Sequence, residues 1–363
     1  MKKRALALIL AALCLFLCAA CAPEKVPGCT DGPKTYVNPV FTPVFADPCI
    51  IRGDDGYFYA YATEDYGNYG GEDRIGYLPI IRSKDLVSWE YVADVFSEET
   101  KPAWGKYNSG TWAPDIVRIG NTYNLYYSLS VWNDANPGIG VCTAPHPAGP
   151  WTDCGMVLDS QSSGVNNSID SFTFEYEGEV YMIWGSYRGL YMIRLTADGL
   201  QVAEGAEPVR IGGYADSSSF EAAYMIEKDG YYYLFLSLGH CCEGIRSTYY
   251  VNVVRAETPF GAWTDREGNT LLEGKTLGEL VVKGDVDVAG PGHNCVIADD
   301  NGEFWMVYHA YETKYALGTY GSSPRRSLFI DKLLWDEDGF PYLEGYAPSY
   351  SEQEAPFFRS DVS

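Results

Sequence analysis

The chemistry available to this chain begins with its acids. The sequence carries 49 Asp and Glu against 26 Lys and Arg, with only four His. Asp47, Asp170 and Glu221 stand at matching places in repeated segments. Hydrolysis of a glycosidic bond needs two carboxyl groups: one protonates the leaving oxygen, the other activates water or attacks from the opposite face. A third carboxylate nearby raises the acid's pKa by like-charge repulsion and keeps it protonated at working pH. Other chemistries lack their residues. There is no nucleotide-binding loop, Gly-x-Ser-x-Gly elbow or His-Glu-x-x-His motif. His146, His240, His293 and His309 offer few candidates for His-based nucleophilic catalysis.

Five repeated elements must position these acids. Each is an aromatic, strand-like run after a turn residue: GYFYAYATE from Gly56, NTYNLYYSLS from Asn121, EVYMIWGSY from Glu179, GYYYLFLSL from Gly230 and EFWMVYHAY from Glu303. No helical period is sustained, so the chain reads as all-β. The runs recur every ~50–75 residues, room for about four short strands and a loop, which predicts a five-bladed β-propeller over 37–350. A β-sandwich would not explain five equivalent hairpins.

The strand before each run is more informative. In register the five read Asp47-Pro48, Ala113-Pro114, Asp170-Ser171, Glu221-Ala222 and His293-Asn294. In the second copy the acid lies two places on, at Asp115, which strand alternation would keep on the same face. The equivalent strand of every blade lies nearest the axis, so these residues are expected to converge on one channel mouth.

The same segments resemble glycoside hydrolase family 43 over roughly 38–347. Ala46-Asp47-Pro48 is similar to the family's opening motif, Trp112-Ala113-Pro114-Asp115-Ile116 to its second-blade motif, Asn167-Ser168-Ile169-Asp170 to the motif of its pKa-modulating Asp, and Phe220-Glu221-Ala222 to its general-acid motif. Ser171 stands where members often carry Pro. The resemblance implies an inverting enzyme. Asp47 would be the general base, Glu221 the general acid, and Asp170 the residue that tunes the acid and orients substrate. The base and acid would lie ~6.5–9.5 Å apart, leaving room for water. Trp112, Asp115 and Asn167 would contact substrate. Gly290-Pro291-Gly292-His293-Asn294, the Cys241-Cys242 segment with Ser247-Thr248-Tyr249, and Leu333-Leu334-Trp335-Asp336 resemble the endo-α-1,5-L-arabinanase branch. That branch implies a calcium ion at the axis, held with His293 largely through waters, and no organic cofactor. An exo-acting α-L-arabinofuranosidase or β-xylosidase would share the three acids. A non-catalytic sugar-binding propeller would need no acid and base on opposite sides of a bond.

The remaining expectations are coarser. Trp104, Trp112 and Trp132 are flat partners that could stack on a sugar's apolar face. Either Arg325 or Arg326 could reach the site. Cys241-Cys242 reads as a pair shaping a loop rather than a redox centre, and Cys142 with Cys154 is a candidate disulfide. A formal net charge of −23 disfavours nucleic acid and suits a neutral polysaccharide partner. Lys2-Lys3-Arg4 followed by an apolar stretch reads as a signal peptide over 1–20. Cys21 resembles a bacterial lipidation site, with a tether over 21–36. That predicts an extracytoplasmic protein, anchored at Cys21 or secreted, touching membrane only through a lipid anchor; a monomer is expected. Residues 351–363 read as a tail. Two segments could close the ring: 36–45, or the strand near Tyr342.

Overall fold

Each aromatic run forms the second strand of an antiparallel blade. The computed structural model describes residues 32–214 and 218–359; the signal and Cys21 lie outside them. Blades 1 to 4 are four-stranded and built of strands consecutive in sequence, save that blade 1 carries an inserted hairpin, Asp65–Tyr69 with Glu72–Gly76. Their inner strands are Cys49–Arg52, Gly110–Ile119, Phe172–Tyr176 and Phe220–Lys228. Blade 5 pairs Val288–Ala298 with Phe304–Glu312 and Ser327–Lys332. Each inner strand touches the inner strands of both neighbouring blades, which closes a ring around the axis.

The second strands are near-continuous apolar runs because both their faces are buried. In blade 4, Leu234, Leu236 and Leu238 pack towards blade 3, while Tyr233 and Phe235 pack towards blade 5. The same alternation yields five cores, one between each pair of adjacent blades. No single centre holds the fold, so the axis is free to be polar.

The ring is closed by the N-terminal segment. Val40 donates to Leu328 O at 2.9 Å, Leu328 donates to Phe41 O at 2.9 Å, and Phe45 donates to Arg326 O at 2.6 Å. The Asn38 amide adds a two-way clasp, donating to Ile330 O and accepting from Ile330 N–H. Of the two segments considered, 36–45 therefore closes the ring; Pro341–Tyr342 pairs only with Leu334–Trp335 in a small outer hairpin. The terminal stretch is less of a tail than the sequence suggested. Gln353–Glu354 pairs with Thr35–Tyr36, and Phe358 is buried against Phe58. Among the described residues no helix is long and apolar enough to cross a membrane.

Cys142 and Cys154 are both free. Cys142 lies opposite Asp153 in the blade 2 ladder, so Cys154, one place on, turns to the other face. Cys142 is buried and Cys154 exposed.

Candidate active site

One residue per blade adopts a left-handed backbone at the axial end of the inner strand: Asp47, Ala113, Asp170, Ala222 and His293, with φ between 43° and 60°. A side chain at positive φ crowds the following carbonyl and costs about 1–2 kcal/mol. The strain recurs because each such residue is held from the preceding blade. The Ala113 N–H donates to Thr63 Oγ1 at 2.8 Å, Asp170 N–H to Ser128 Oγ at 3.0 Å, His293 N–H to Ser237 Oγ at 2.9 Å and Asp47 N–H to His309 Nδ1 at 3.1 Å. For blade 4 the corresponding residue of the preceding blade, Ser186, instead donates to the Glu221 side chain at 2.6 Å. These supports were missed in the sequence. Their signal was a polar residue near the end of every aromatic run: Thr63, Ser128, Ser186, Ser237 and His309.

This frame corrects the register read from sequence at one place. Ala222, not Glu221, is the fourth equivalent of Asp47. Glu221 precedes it at a bulge in the pairing of blade 4, and still faces the axis. A bulge also defeats the reasoning about Asp115. The ladder of blade 2 slips between Trp112 and Asp115, so the two-place alternation does not hold there. Asp115 is absent from the cavity wall, contrary to its expected substrate contact. It is buried, and its carboxylate accepts the Thr173 N–H of blade 3 at 2.7 Å. Burial pushes its pKa up to about 7.

That burial gives a stability prediction. The unfolded Asp115 titrates near 3.8, the folded one near 7. Between those values unfolding releases a proton, so the native state loses stability as pH rises, and the loss is complete above the folded pKa. Asp115→Asn removes this penalty. Its stability relative to the parent should improve between pH 4 and pH 8 by a few kcal/mol, since each pKa unit corresponds to ~1.4 kcal/mol. Urea unfolding at the two pH values measures it; a pH-independent difference would contradict the assignment.

The other expected residues share one cavity of about 750 Å³ at the axial mouth: Asp47, Asp170, Glu221, Trp112, Asn167 and His293. Asp47 is 8% exposed. Both its oxygens lie 3.0 Å from Arg326 Nη1, and Thr63 Oγ1 donates to Oδ2 at 2.6 Å. Burial alone would raise its pKa, but the Arg326 guanidinium wins and holds it well below the usual carboxylate range. His293 and His309 also approach Asp47 at 3.3 Å. Burial lowers both imidazoles, His293 to about 4, so neither is a cation near neutral pH. Their charge therefore adds little, and Arg326 carries the effect. Its second arm reaches Asp65, at the start of the inserted hairpin, at 2.8 Å. Of the two arginines considered, Arg326 is the one in the site; Arg325 lies over the Tyr315 ring.

Glu221 and Asp170 have the opposite electrostatics. Burial raises Glu221 despite hydrogen bonds from Ser186 and, at 2.7 Å, from the Tyr249 hydroxyl. Burial raises Asp170 further, with repulsion from Glu221 and Asp47 added. Both groups are thus biased towards the protonated form, in contrast to Asp47. Tyr249 was quoted in the sequence only as part of a motif; its contact with Glu221 depends on Gly292. A Cβ at Gly292 would meet the Tyr249 ring at 2.1 Å, so the glycine is what admits the tyrosine.

Trp112 and the 72%-exposed Trp132 flank the mouth, with ring centroids 5.8 Å apart. Trp104 pairs with Tyr127 in the core between blades 1 and 2 instead. Asn167 is fixed by donating to Ser186 O at 2.9 Å. Calcium takes 6–8 oxygen ligands. Among the described residues no three His, Cys, Asp or Glu converge to hold a metal, and His293 meets Asp47 instead. What the cavity does offer is one carboxyl group held low in pKa and two held high, all facing one space, with flat aromatic rings at its mouth.

The profile of glycosyl hydrolases family 43 matches residues 36–341. The extracellular exo-α-(1→5)-L-arabinofuranosidase ArbA of Cellvibrio japonicus is 33% identical over 74% of this chain and 80% of its own length. The extracellular endo-α-(1→5)-L-arabinanase 1 of Bacillus subtilis is 29% identical over 81% and 86%. The Cellvibrio cellulosa α-L-arabinanase, solved with arabinohexaose, superposes with a TM-score of 0.69 at 30% identity, covering 83% of this chain and 97% of that one.

Proposed function

The chain belongs to glycosyl hydrolases family 43, and from that membership we propose that it is an inverting glycosidase cleaving α-1,5-linked L-arabinan. One observation supports the mechanism: a carboxyl group whose pKa is held low and another whose pKa is pushed up face the same cavity. Asp47, its charge fixed by Arg326, takes a proton from a water beside the anomeric carbon. Glu221, steadied by Ser186 and Tyr249, gives its proton to the departing oxygen. As the water attacks from the opposite face, the configuration inverts. Asp170 shares the proton with Glu221 and keeps it from leaving early. Trp112 and Trp132 offer their faces to sugar rings at the mouth. A calcium ion at the axis, held with His293 largely through waters, would add positive charge beside Asp47.

The substrate follows from the relatives, which are named as acting on α-1,5-arabinan. Endo action is the main reading, and the exo-acting relative from Cellvibrio japonicus favours a second. Both relatives are named extracellular, which supports secretion here, with anchoring at Cys21 as the finer proposal. The test is hydrolysis of linear arabinan with time-resolved products. Mixed oligosaccharides from the start mean endo action; single arabinose units from the start mean exo action. Binding without any release of reducing ends would overturn the enzyme reading.

Asp170→Asn probes the shared proton. With Asp170 present, loss of the last proton leaves two adjacent negative charges, which delays that loss to higher pH. In the amide variant no second charge forms, so the alkaline limb of kcat/KM should move to lower pH. An unmoved limb with full activity removes Asp170 from the mechanism.

A further inference from the structure

Against the sequence expectation of a pair that only shapes its loop, we propose that Cys241 and Cys242 are a redox-active vicinal pair in the wall of the axial cavity, closed to a disulfide by a disulfide oxidant and reopened by a dithiol. The closed form is the one that holds sugar more tightly.

The two sulfurs lie 2.8 Å apart, and both residues line the cavity that holds Asp47, Glu221 and Arg326. Their loop is pinned behind them. The His240 carbonyl accepts from Ser247 Oγ at 2.6 Å and from Thr248 N–H at 3.1 Å, while His240 N–H donates to Thr248 Oγ1 at 3.1 Å. Cys242 has a left-handed φ of 65°, which a residue with a Cβ adopts only when its surroundings enforce it. The sulfurs are thus held together rather than meeting by chance. Among the described residues Cys49, Cys142 and Cys295 are buried and Cys154 is exposed, and none of these four is in the cavity wall.

The chemistry is exchange with a small or protein disulfide. The 2.8 Å contact lets one thiol steady the other as a thiolate. That thiolate attacks one sulfur of the oxidant, whose S–S bond breaks to release one thiol. The neighbouring cysteine then attacks the mixed disulfide and releases the second thiol. Both cysteine S–H bonds break, one S–S bond forms, and two electrons and two protons leave on the two product thiols. Adjacent residues have Cα atoms ~3.8 Å apart, below the ~4.4–6.8 Å usual for a disulfide, so the bond is strained and readily reduced.

The closed form differs at the sugar's wall. Reduced, the pair presents two ionisable thiols that are not covalently tied and can part. Oxidised, it has no ionisable proton and a fixed sulfur face, leaving Arg326 to Asp47 and Asp65. Reopening should raise KM for arabinan roughly two- to tenfold, the span expected when rotors at a binding surface are freed.

The test uses the whole mature chain poised in ratios of reduced to oxidised glutathione, alkylated with iodoacetamide and mapped by mass spectrometry, with arabinan kinetics in parallel. The 241–242 peptide should resist alkylation in oxidising buffer and take two labels after reduction, with KM rising across the same transition. Cys241→Ser and Cys242→Ser should each abolish that redox response. Two labels at every potential would overturn the proposal, as would a closed pair whose reduction leaves KM unchanged. The kinetic half rests on the arabinan reading. If no arabinan is cleaved, that reading fails, while the alkylation map alone still decides whether the pair closes.

Discussion

Glu221→Gln leaves arabinan binding close to the parent's and lowers the turnover by about three orders of magnitude, the scale of a positioned general acid. The substitution keeps the shape of the side chain and removes only the transferable proton. The neighbours tolerate it. Tyr249 can still donate to the amide oxygen, and the Ser186 hydroxyl can turn to accept from the amide nitrogen. Since burial already disfavours the charged carboxylate, a neutral amide costs the fold little. Initial rates on linear arabinan and calorimetric binding of arabinan oligosaccharides measure the two effects separately. Turnover within tenfold of the parent would remove Glu221 from the proton transfer. Loss of binding in equal measure would recast it as a substrate contact.

Replacing Arg326 changes the other half of the reaction. Arg326→Met leaves Asp47 buried without its counterion, so burial becomes the dominant influence and the pKa rises. The base must be ionised to act. The acidic limb of kcat/KM therefore moves to higher pH, and activity at neutral pH falls by about two to four orders of magnitude. The loss also reaches stability. A carboxylate with a depressed folded pKa stabilises the protein above its unfolded pKa, and that contribution disappears as pH falls through the folded value. Breaking a buried pair costs about 3–5 kcal/mol. Arg326→Lys serves as the control. It keeps a charge, but a single ammonium cannot span Asp47 and Asp65 as the guanidinium does. Its acidic limb should lie between those of the parent and the Met variant. The pH–rate profiles, with urea unfolding as a check on folding, decide the matter. An unmoved limb in a folded Arg326→Met protein would mean that Asp47 is not the base.

These two changes touch residues of different legibility. Glu221 and Asp47 were visible in the sequence because each opens a strand that recurs in every blade. Arg326 was visible only as one of two adjacent arginines before a late strand. Its pairing with Asp47 joins the last strand of the ring to the first blade, and Phe45 donating to the Arg326 carbonyl fixes that juncture. Nothing local in the sequence distinguishes Arg326 from Arg325; which of the two points inward depends on the strand's face once the ring is closed.

The sequence by itself determined the repeat, and with it the architecture. Two-sided burial demands unbroken apolar runs, and five such runs with a polar residue near their ends can be counted without coordinates. It also brought Asp47 and Asp170 to the axis, because equivalent places in a radial repeat converge, and Glu221 to within one place of it. Tertiary structure decided what those acids are. Bulges broke the alternation that would have placed Asp115 in the cavity, and moved the fourth equivalent position to Ala222. The Arg326 charge holds the Asp47 pKa down, while burial raises that of Glu221 against the hydrogen bonds from Tyr249 and Ser186. A carboxyl group's proton affinity depends on its solvation and on charges brought near it by distant parts of the chain. Strand periodicity records which face a residue occupies, not what it meets there.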